Sequence, residues 1–401
     1  MVGTCTALHL AMRGRTVVLL DRRDPGRETS YGNAGLIQRE AVMPYPFPRR
    51  IGPLVNVALK RSAAVNYHWT SLAGMASGLF SYWLNSSPAR YAVHAKAYAN
   101  LIELSTLEHD ALIRASDAVD LVTKSGYLHV FRSSQSFAAA AERAVQLGAS
   151  HGVNHAVWSS QHLSAAEPAL RQSMAGALYW LDPWSVKDPG GLVTRYAARF
   201  QRLGGVVVSG DAMTLQSAGN GWSVRTTAGL INAEEAVIAL GPWSPALLAK
   251  LGYRLPFFPK RGYHKHYAAD LMPTSPMYDA DRGMVMAPTV QGLRVTTGAE
   301  FASVSSPKTP WQLESAERSA RELLALGEAV EAEPWMGARP CTPDMNPVVS
   351  AAPCHRGLWV NTGHAHQGFT LGPVCGRLLS ELMNRDTPVV DPGPYDLARF
   401  F

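Results

Sequence analysis

The opening of the chain limits what it can become more than any other stretch. Residues 3–14 read as a helix with small residues crowded into its first turns, closed by Gly14. Thr16-Val17-Val18-Leu19-Leu20 is then an unbroken apolar run, which suits a parallel strand covered on both faces, and Asp21 stands at its carboxyl end. Helix, tight turn, buried strand and terminal acid are the second and third parts of a dinucleotide-binding βαβ unit of the Rossmann kind, in which the carboxylate accepts hydrogen bonds from an adenosine ribose. Such a unit opens with an apolar strand and G-x-G-x-x-G, whose amides and helix N-terminus hold a pyrophosphate. Met1-Val2-Gly3 supplies at most the last of those glycines. The first strand is therefore expected to lie before the start of this sequence.

At 401 residues the chain is too long for one hydrophobic core and is expected to form more than one domain. With 47% hydrophobic and 17% charged residues, 34 Gly and 27 Pro, it has the make-up of a loop-rich globular enzyme, not of a disordered, coiled-coil or collagen-like chain. The net charge of +6 is spread without basic blocks, so no nucleic-acid partner is expected. Cys5, Cys341, Cys354 and Cys375 form no CxxC pair and no zinc-like cluster, which points to a reducing compartment without disulfides. His364 and His366 lack a carboxylate or thiol to complete a metal site, so no metal is expected. Arg13 and Arg15 interrupt the N-terminal apolar run and argue against a signal peptide. Residues 62–89 contain no Asp, Glu, Lys or Arg but are too short in apolar run to span a bilayer. They read as a helical hairpin, with a membrane-surface patch as the alternative. The expected location is the cytoplasm, or the inner face of a membrane by peripheral contact.

Pro44, Pro46, Pro48 and Pro53 mark an extended exit from the nucleotide unit. Helices are expected over 95–115, over 136–147 with Gly148 as the stop, and over 189–203 behind an Asp188-Pro189-Gly190-Gly191 cap. A further amphipathic helix over 311–333 should turn Leu323, Leu324 and Val330 inward. Strands are expected over 126–131 and 206–208, as a hairpin over 222–226 and 230–233, over 236–240, and repeatedly between 255 and 297. The chain thus leaves the first domain, returns near residue 185, leaves again and ends where it began.

Four segments carry a family resemblance. Glu28-Thr29-Ser30-Tyr31-Gly32-Asn33-Ala34-Gly35 resembles the T-S-x-x-N-A-G loop of FAD-dependent D-amino acid dehydrogenases, relatives of D-amino acid oxidase, glycine oxidase and sarcosine oxidase. Residues 236–244 are similar to their A-T-G-x-W-S segment, with Leu240 where threonine is usual. Lys260-Arg261-Gly262-Tyr263-His264 resembles the segment opening their substrate-domain sheet. Residues 337–347 resemble R-P-x-T-P-D-x-x-P, the most specific match, and precede a strand and the turn Gly363-His364-Ala365-His366-Gln367-Gly368.

The resemblance implies an α/β protein with a Rossmann-like FAD-binding domain (1–50, 186–245 and 335–401). A discontinuous α+β substrate domain on an antiparallel sheet (51–185 and 246–334) would complete it. It implies that FAD is held by Gly3, Asp21, Arg22, Ser30, Asn33, Ala34, Gly35, Ala212, Ala239, Gly241, Trp243, Gly363, His364, Gln367, Gly368 and Thr370. Arg339 is implied as the partner of a substrate carboxylate, with a bridge to FAD or a structural acid as the alternative. Tyr263 or His264 would close the other side, and His366 would belong to the catalytic group. Asp344 would order its turn. Cys341 lies near a position where sarcosine oxidases bond flavin covalently, but the spacing differs, and a buried inert thiol is expected. The implied reaction oxidises the α C–N bond of a small amino acid, a D-amino acid first of all, to the imino or keto acid and ammonia by hydride transfer to flavin, with a quinone, a dye or O2 as electron acceptor. An oxidase of the same family and a noncatalytic relative that binds FAD poorly are the alternatives.

Overall fold

The computed structural model describes residues 1–60 and 64–401. The opening helix Val2–Met12 turns back through Gly14 into the strand Val18–Asp21, as the sequence leads one to expect. That strand pairs in parallel with Val206–Ser209, Val18 lying opposite Val206 and Asp21 opposite Ser209. The helix Pro189–Arg202 leads into the second strand and is capped by the Asp188 carboxylate, which accepts from the Gly191 amide at 2.8 Å. Its buried face is Leu192, Val193, Tyr196 and Phe200, so the amphipathic pattern is the packing face.

A second piece of sheet runs Ala236–Ile238, Leu358–Thr362, Val348–Ala351, the first pair parallel and the second antiparallel. Val18–Asp21 and Ala236–Ile238 each keep one unpaired edge, and among the described residues no strand lies between them. Both strands border the same cavity. The helix Gly368–Asn384 lies on the opening helix so closely that a Cβ on Gly376 would stand 2.8 Å from the carbonyl carbon of Cys5.

The rest of the chain builds a mixed sheet of ten strands around the long strand Phe258–Tyr267. The sheet is mostly antiparallel. It is parallel where Ala299–Phe301 meets Val65–Tyr67 and where Met277–Asp279 meets Tyr127–Phe131. The strand Trp335–Cys341 pairs antiparallel with Phe258–His264 in this large sheet.

Some helix bounds differ from expectation. The helix expected over 136–147 runs Ser134–His151 and ends at left-handed Gly152. Gly148 sits inside it, where a Cβ would press on His155 at 3.2 Å. The helix from Trp311 ends at Leu323, and Leu323 and Leu324 are buried as expected. Val330 is instead exposed, because the chain there has become extended and its amide donates to the His266 carbonyl at 2.9 Å. The charge-free stretch, apart from residues 62 and 63, which lie outside the described residues, includes the helix Trp69–Asn85 and leads into the helix Pro88–Ala115. Met75 and Tyr82 face inward there, while Trp69, Phe80 and Trp83 face out. Among the described residues no helix is long and apolar enough to cross a membrane.

Candidate active site

A cavity of ≈ 1820 Å³ runs between the two half-sheets and on over one face of the large sheet. Its nucleotide-side wall holds Gly3, Asp21, Arg22, Ser30, Asn33, Ala34, Ala212, Ala239, Gly241 and Trp243. Burial raises the Asp21 carboxyl above its usual value, while the Arg23 and Arg22 amides counter that shift. The Arg22 guanidinium lies 4.0 Å over the Trp243 ring and donates to Glu28 at 2.8 Å. Ser30 Oγ accepts from the Met1 ammonium at 3.1 Å, beside the N-terminus of the opening helix. Asn33 Oδ1 accepts from the Gly35 and Leu36 amides at 2.8 and 3.1 Å, which fixes the loop as a side-chain-capped turn. Gly35 stands behind this wall at φ +73°, where a Cβ would collide with the Val186 carbonyl oxygen at 2.3 Å. Glycine is required there.

The C-terminal turn closes the cavity with His364, Ala365, His366 and Gly368, while Gly363, Gln367 and Thr370 support it from behind. Gln367 donates to Gln38 at 2.9 Å, and the Gln38 amide donates to Thr370 Oγ1 at 3.2 Å. Burial pushes His364 down to about 3 and His366, beside Arg339 and Lys260, also to about 3. Both imidazoles are therefore neutral near pH 7. His364 Nε2 and Asn361 Oδ1 are buried polar atoms of cavity-lining residues that have no hydrogen-bond partner.

Arg339 enters from the strand Trp335–Cys341. Its Nη1 donates to the Gly298 carbonyl at 3.2 Å, and it makes no ion pair with any described carboxylate. The guanidinium lies over Gly262, where a Cβ would meet Nη2 at 2.6 Å, so the absent side chain makes its seat. Burial lowers its pKa, an arginine shift that marks an unpaired, partly buried cation.

Tyr263 borders the cavity and His264 lies outside its wall. Successive strand residues point to opposite faces. The Tyr263 hydroxyl is turned behind the sheet. There it donates to Glu300 Oε2 at 2.8 Å and accepts from Arg261 Nη2 at 3.2 Å and the Thr309 amide at 3.0 Å. His264 shares the face of Lys260 but is covered. Its ring stacks on Trp335 at 4.9 Å and faces Tyr31 at 5.8 Å, outside the cavity wall. Burial drives its pKa down to about 2, which leaves it a neutral packing residue. Tyr45 lines the cavity, 62% exposed to it, with its ring 5.0 Å from that of His366. Cys341 is buried, and burial raises its thiol pKa, in keeping with an unreactive thiol.

Lys260, Tyr45, Glu40 and Asn361 all line the cavity and were not singled out from sequence. Glu40 accepts from Gln38 Nε2 at 3.0 Å and leaves Oε2 buried without a partner. Burial pushes its pKa to about 7. A carboxyl whose folded value is raised favours the folded state at low pH and loses that advantage as pH rises through the folded value. The apparent Tm should accordingly fall between pH 5 and pH 8. In Glu40→Gln that fall should shrink, as read by thermal scans at both pH values. An unchanged difference would show that Glu40 does not titrate in this range.

The parallel half-sheets, the Asp21 carboxylate at a strand end and the cavity beside them fit a nucleotide cofactor. Residues 1–382 match the family model described as FAD dependent oxidoreductase, and the chain belongs to that family. It is 30% identical over 426 aligned residues, spanning 100% of this chain and 97% of the relative, to a D-amino acid dehydrogenase from Chromohalobacter salexigens. Among solved structures it resembles glycine oxidase from Geobacillus kaustophilus, with a TM-score of 0.74, 21% identity and coverage of 100% and 96% of the two chains. Iminodiacetate oxidase from Chelativorans sp. BNC1 gives a TM-score of 0.72 at 18% identity, covering 98% and 96%. The protein is an FAD-dependent oxidoreductase. The residues present fit the cofactor, since the half-buried Asp21 carboxylate, the N-terminus of the opening helix and the partnerless atoms of Asn361 and His364 all border one cavity.

Proposed function

We propose that the protein oxidises the α C–N bond of a small amino acid, most like a D-amino acid, to an imine that water converts to the keto acid and ammonia. The observation that carries this reading is Arg339, a partly buried guanidinium at the cavity wall with a backbone carbonyl and no described acid as its partner. A guanidinium offers two parallel charged hydrogen bonds to a carboxylate, which fixes the α-carbon in position and orientation. The D-amino acid dehydrogenase relative, matched over its whole length, supports the choice of substrate.

In this reading Asp21, Arg22, Ser30, Asn33, Ala34 and Trp243 hold the nucleotide half of FAD. Bound FAD supplies the hydride acceptor. The amides of the turn at 363–368 and the N-terminus of Gly368–Asn384 place positive potential at its inner end. Arg339 anchors the carboxylate, and neutral His366 and Tyr45 shield the reacting carbon from water. No side chain need act as a strong base if the amine enters unprotonated.

Purified protein with bound flavin should lose its visible absorption anaerobically on addition of D-amino acids and not of their L-enantiomers. Bleaching by L-amino acids alone would reject the stereochemical choice, and no bleaching by either would reject the reaction. Parallel oxygen-consumption and dye-reduction assays on one preparation separate an oxidase from a dehydrogenase.

The outward face around the helix Ile51–Ala58 extends the proposal to location. Ile51, Val55, Leu59, Trp69 and Phe80 are exposed near Arg49, Arg50 and Lys60. Apolar side chains ringed by basic ones suit peripheral contact with an anionic membrane surface. Sedimentation with anionic vesicles should carry the protein down. The Ile51→Ser/Val55→Ser variant should stay in solution, and equal binding by the variant would remove this face from the contact.

A further inference from the structure

Lys260 and Arg339 stand directly opposite each other in the antiparallel pair of Phe258–Tyr267 and Trp335–Cys341. Residues so paired share one face of a sheet, and both side chains line the cavity. Like charges directly opposite are destabilising in water and more so when desolvated. Burial, and then Arg339, lower the Lys260 pKa.

Among the described residues no carboxylate offsets the pair. Neither cation forms an ion pair with a described carboxylate, and residues 61–63, outside the described set, are Arg, Ser and Ala. Lys260 Nζ has only the Tyr82 hydroxyl at 3.5 Å and the rings of Tyr82, Phe301 and Phe258 at 4.7, 5.3 and 5.5 Å. These contacts hold an ammonium in place and strip its water without neutralising it. The neighbouring His366 is neutral and adds no counter-charge.

The two charged heads diverge. The guanidinium lies over Gly262, two positions along the strand from Lys260, while the ammonium sits among the rings of Tyr82, Phe301 and Phe258. A ligand that satisfies both needs two anionic groups set well apart.

We propose that Lys260 binds a second carboxylate at the end of the substrate's side chain, so that the preferred substrate is an acidic amino acid with a glutamate-length arm rather than an aspartate-length one. The proposal rests on the reading of Arg339 as the anchor of the α-carboxylate.

The test uses the flavin-loaded enzyme with D-glutamate, D-aspartate and D-glutamine, the last matching D-glutamate in shape but not in charge. The wild type should show the highest kcat/KM with D-glutamate. Lys260→Met should lower the D-glutamate to D-glutamine ratio of kcat/KM by about 100-fold or more, and Lys260→Arg should restore part of it. An unchanged ratio in Lys260→Met, or a wild type that prefers D-glutamine, overturns the proposal. If Lys260→Met does not fold, titration of the wild-type flavin spectrum decides. Glutarate should bind at least tenfold tighter than butyrate, and equal affinity overturns the proposal. The two readings fail separately, because bleaching by neutral D-amino acids without a charge preference sinks only the role of Lys260. Absence of bleaching by any amino acid sinks the underlying reaction.

Discussion

Replacing Arg339 with methionine should lower kcat/KM for the preferred amino acid by about three orders of magnitude while flavin content stays at the wild-type level. Truncating one partner of a desolvated, hydrogen-bonded charge pair costs roughly 2–5 kcal/mol, and about 1.4 kcal/mol is tenfold in rate. Methionine keeps the apolar stem and leaves the substrate carboxylate facing Gly262 and the Gly298 carbonyl, neither of which can donate to it from a side chain. Arg339→Lys should fall between the two, because an ammonium restores charge but not the planar fork. The loss should sit mainly in KM if the guanidinium grips the ground state and transition state equally. Should flavin leave with the activity, the arginine is a cofactor residue and the substrate reading fails.

Glu300→Ala should be the most destabilising single change on the wall behind the site. Glu300 and Arg261 are both fully buried, and their side chains meet at 2.7 Å. The same carboxylate accepts from Tyr263 at 2.8 Å, from Asn66 and His68 at 3.1 Å, and from Thr309. Three separate stretches of chain, 66–68, 261–263 and 309, thus converge on one side chain. Removing it strands the Arg261 cation in the interior, a loss of about 3–5 kcal/mol against a total stability of roughly 5–15 kcal/mol. Soluble yield and apparent Tm should both drop sharply. Glu300→Gln, which keeps most of the acceptors, should lose less, and Arg261→Met/Glu300→Leu should recover part of what Glu300→Ala loses. Burial pushes the Glu300 carboxyl up, but the hydrogen bonds from Thr309, Tyr263 and Arg261 outweigh it and hold the group below the ordinary glutamate value. With the folded value depressed, its contribution is complete above the unfolded value and fades as pH falls through the folded one. Acid unfolding should accordingly begin at higher pH in Glu300→Gln, and coincident acid transitions would refute this account.

The nucleotide half was legible because its signals are local. A continuous apolar run ending in Asp21, a capped helix at Asp188 and the Asn33–Gly35 loop each occupy a few consecutive residues. Arg339 was legible because its segment is dense in proline and glycine. The rest of the substrate wall was not, since it is assembled from three distant stretches. Tyr45 lies in the proline-rich exit, Lys260 in a central strand, and Arg339 is brought opposite Lys260 only by the pairing of 258–264 with 335–341. The Tyr263 hydroxyl is turned behind the sheet for a related reason. Period-two alternation separates Lys260 and Gly262 from Arg261 and Tyr263, but the phase that faces the ligand is set by the partner strand. Trp335 then covers His264 from a position 71 residues further on, which no local pattern announces.

The paired cations at Lys260 and Arg339 have a consequence for turnover. Oxidation alters the bond to nitrogen and leaves both carboxylates of an acidic substrate untouched, so the departing keto acid presents the same two anions to the same two heads. If the proposed acidic substrate is the right one, escape of that product should be the slow event of the cycle. Added salt, which screens charges at the mouth, should quicken release at saturating substrate while slowing capture at low substrate.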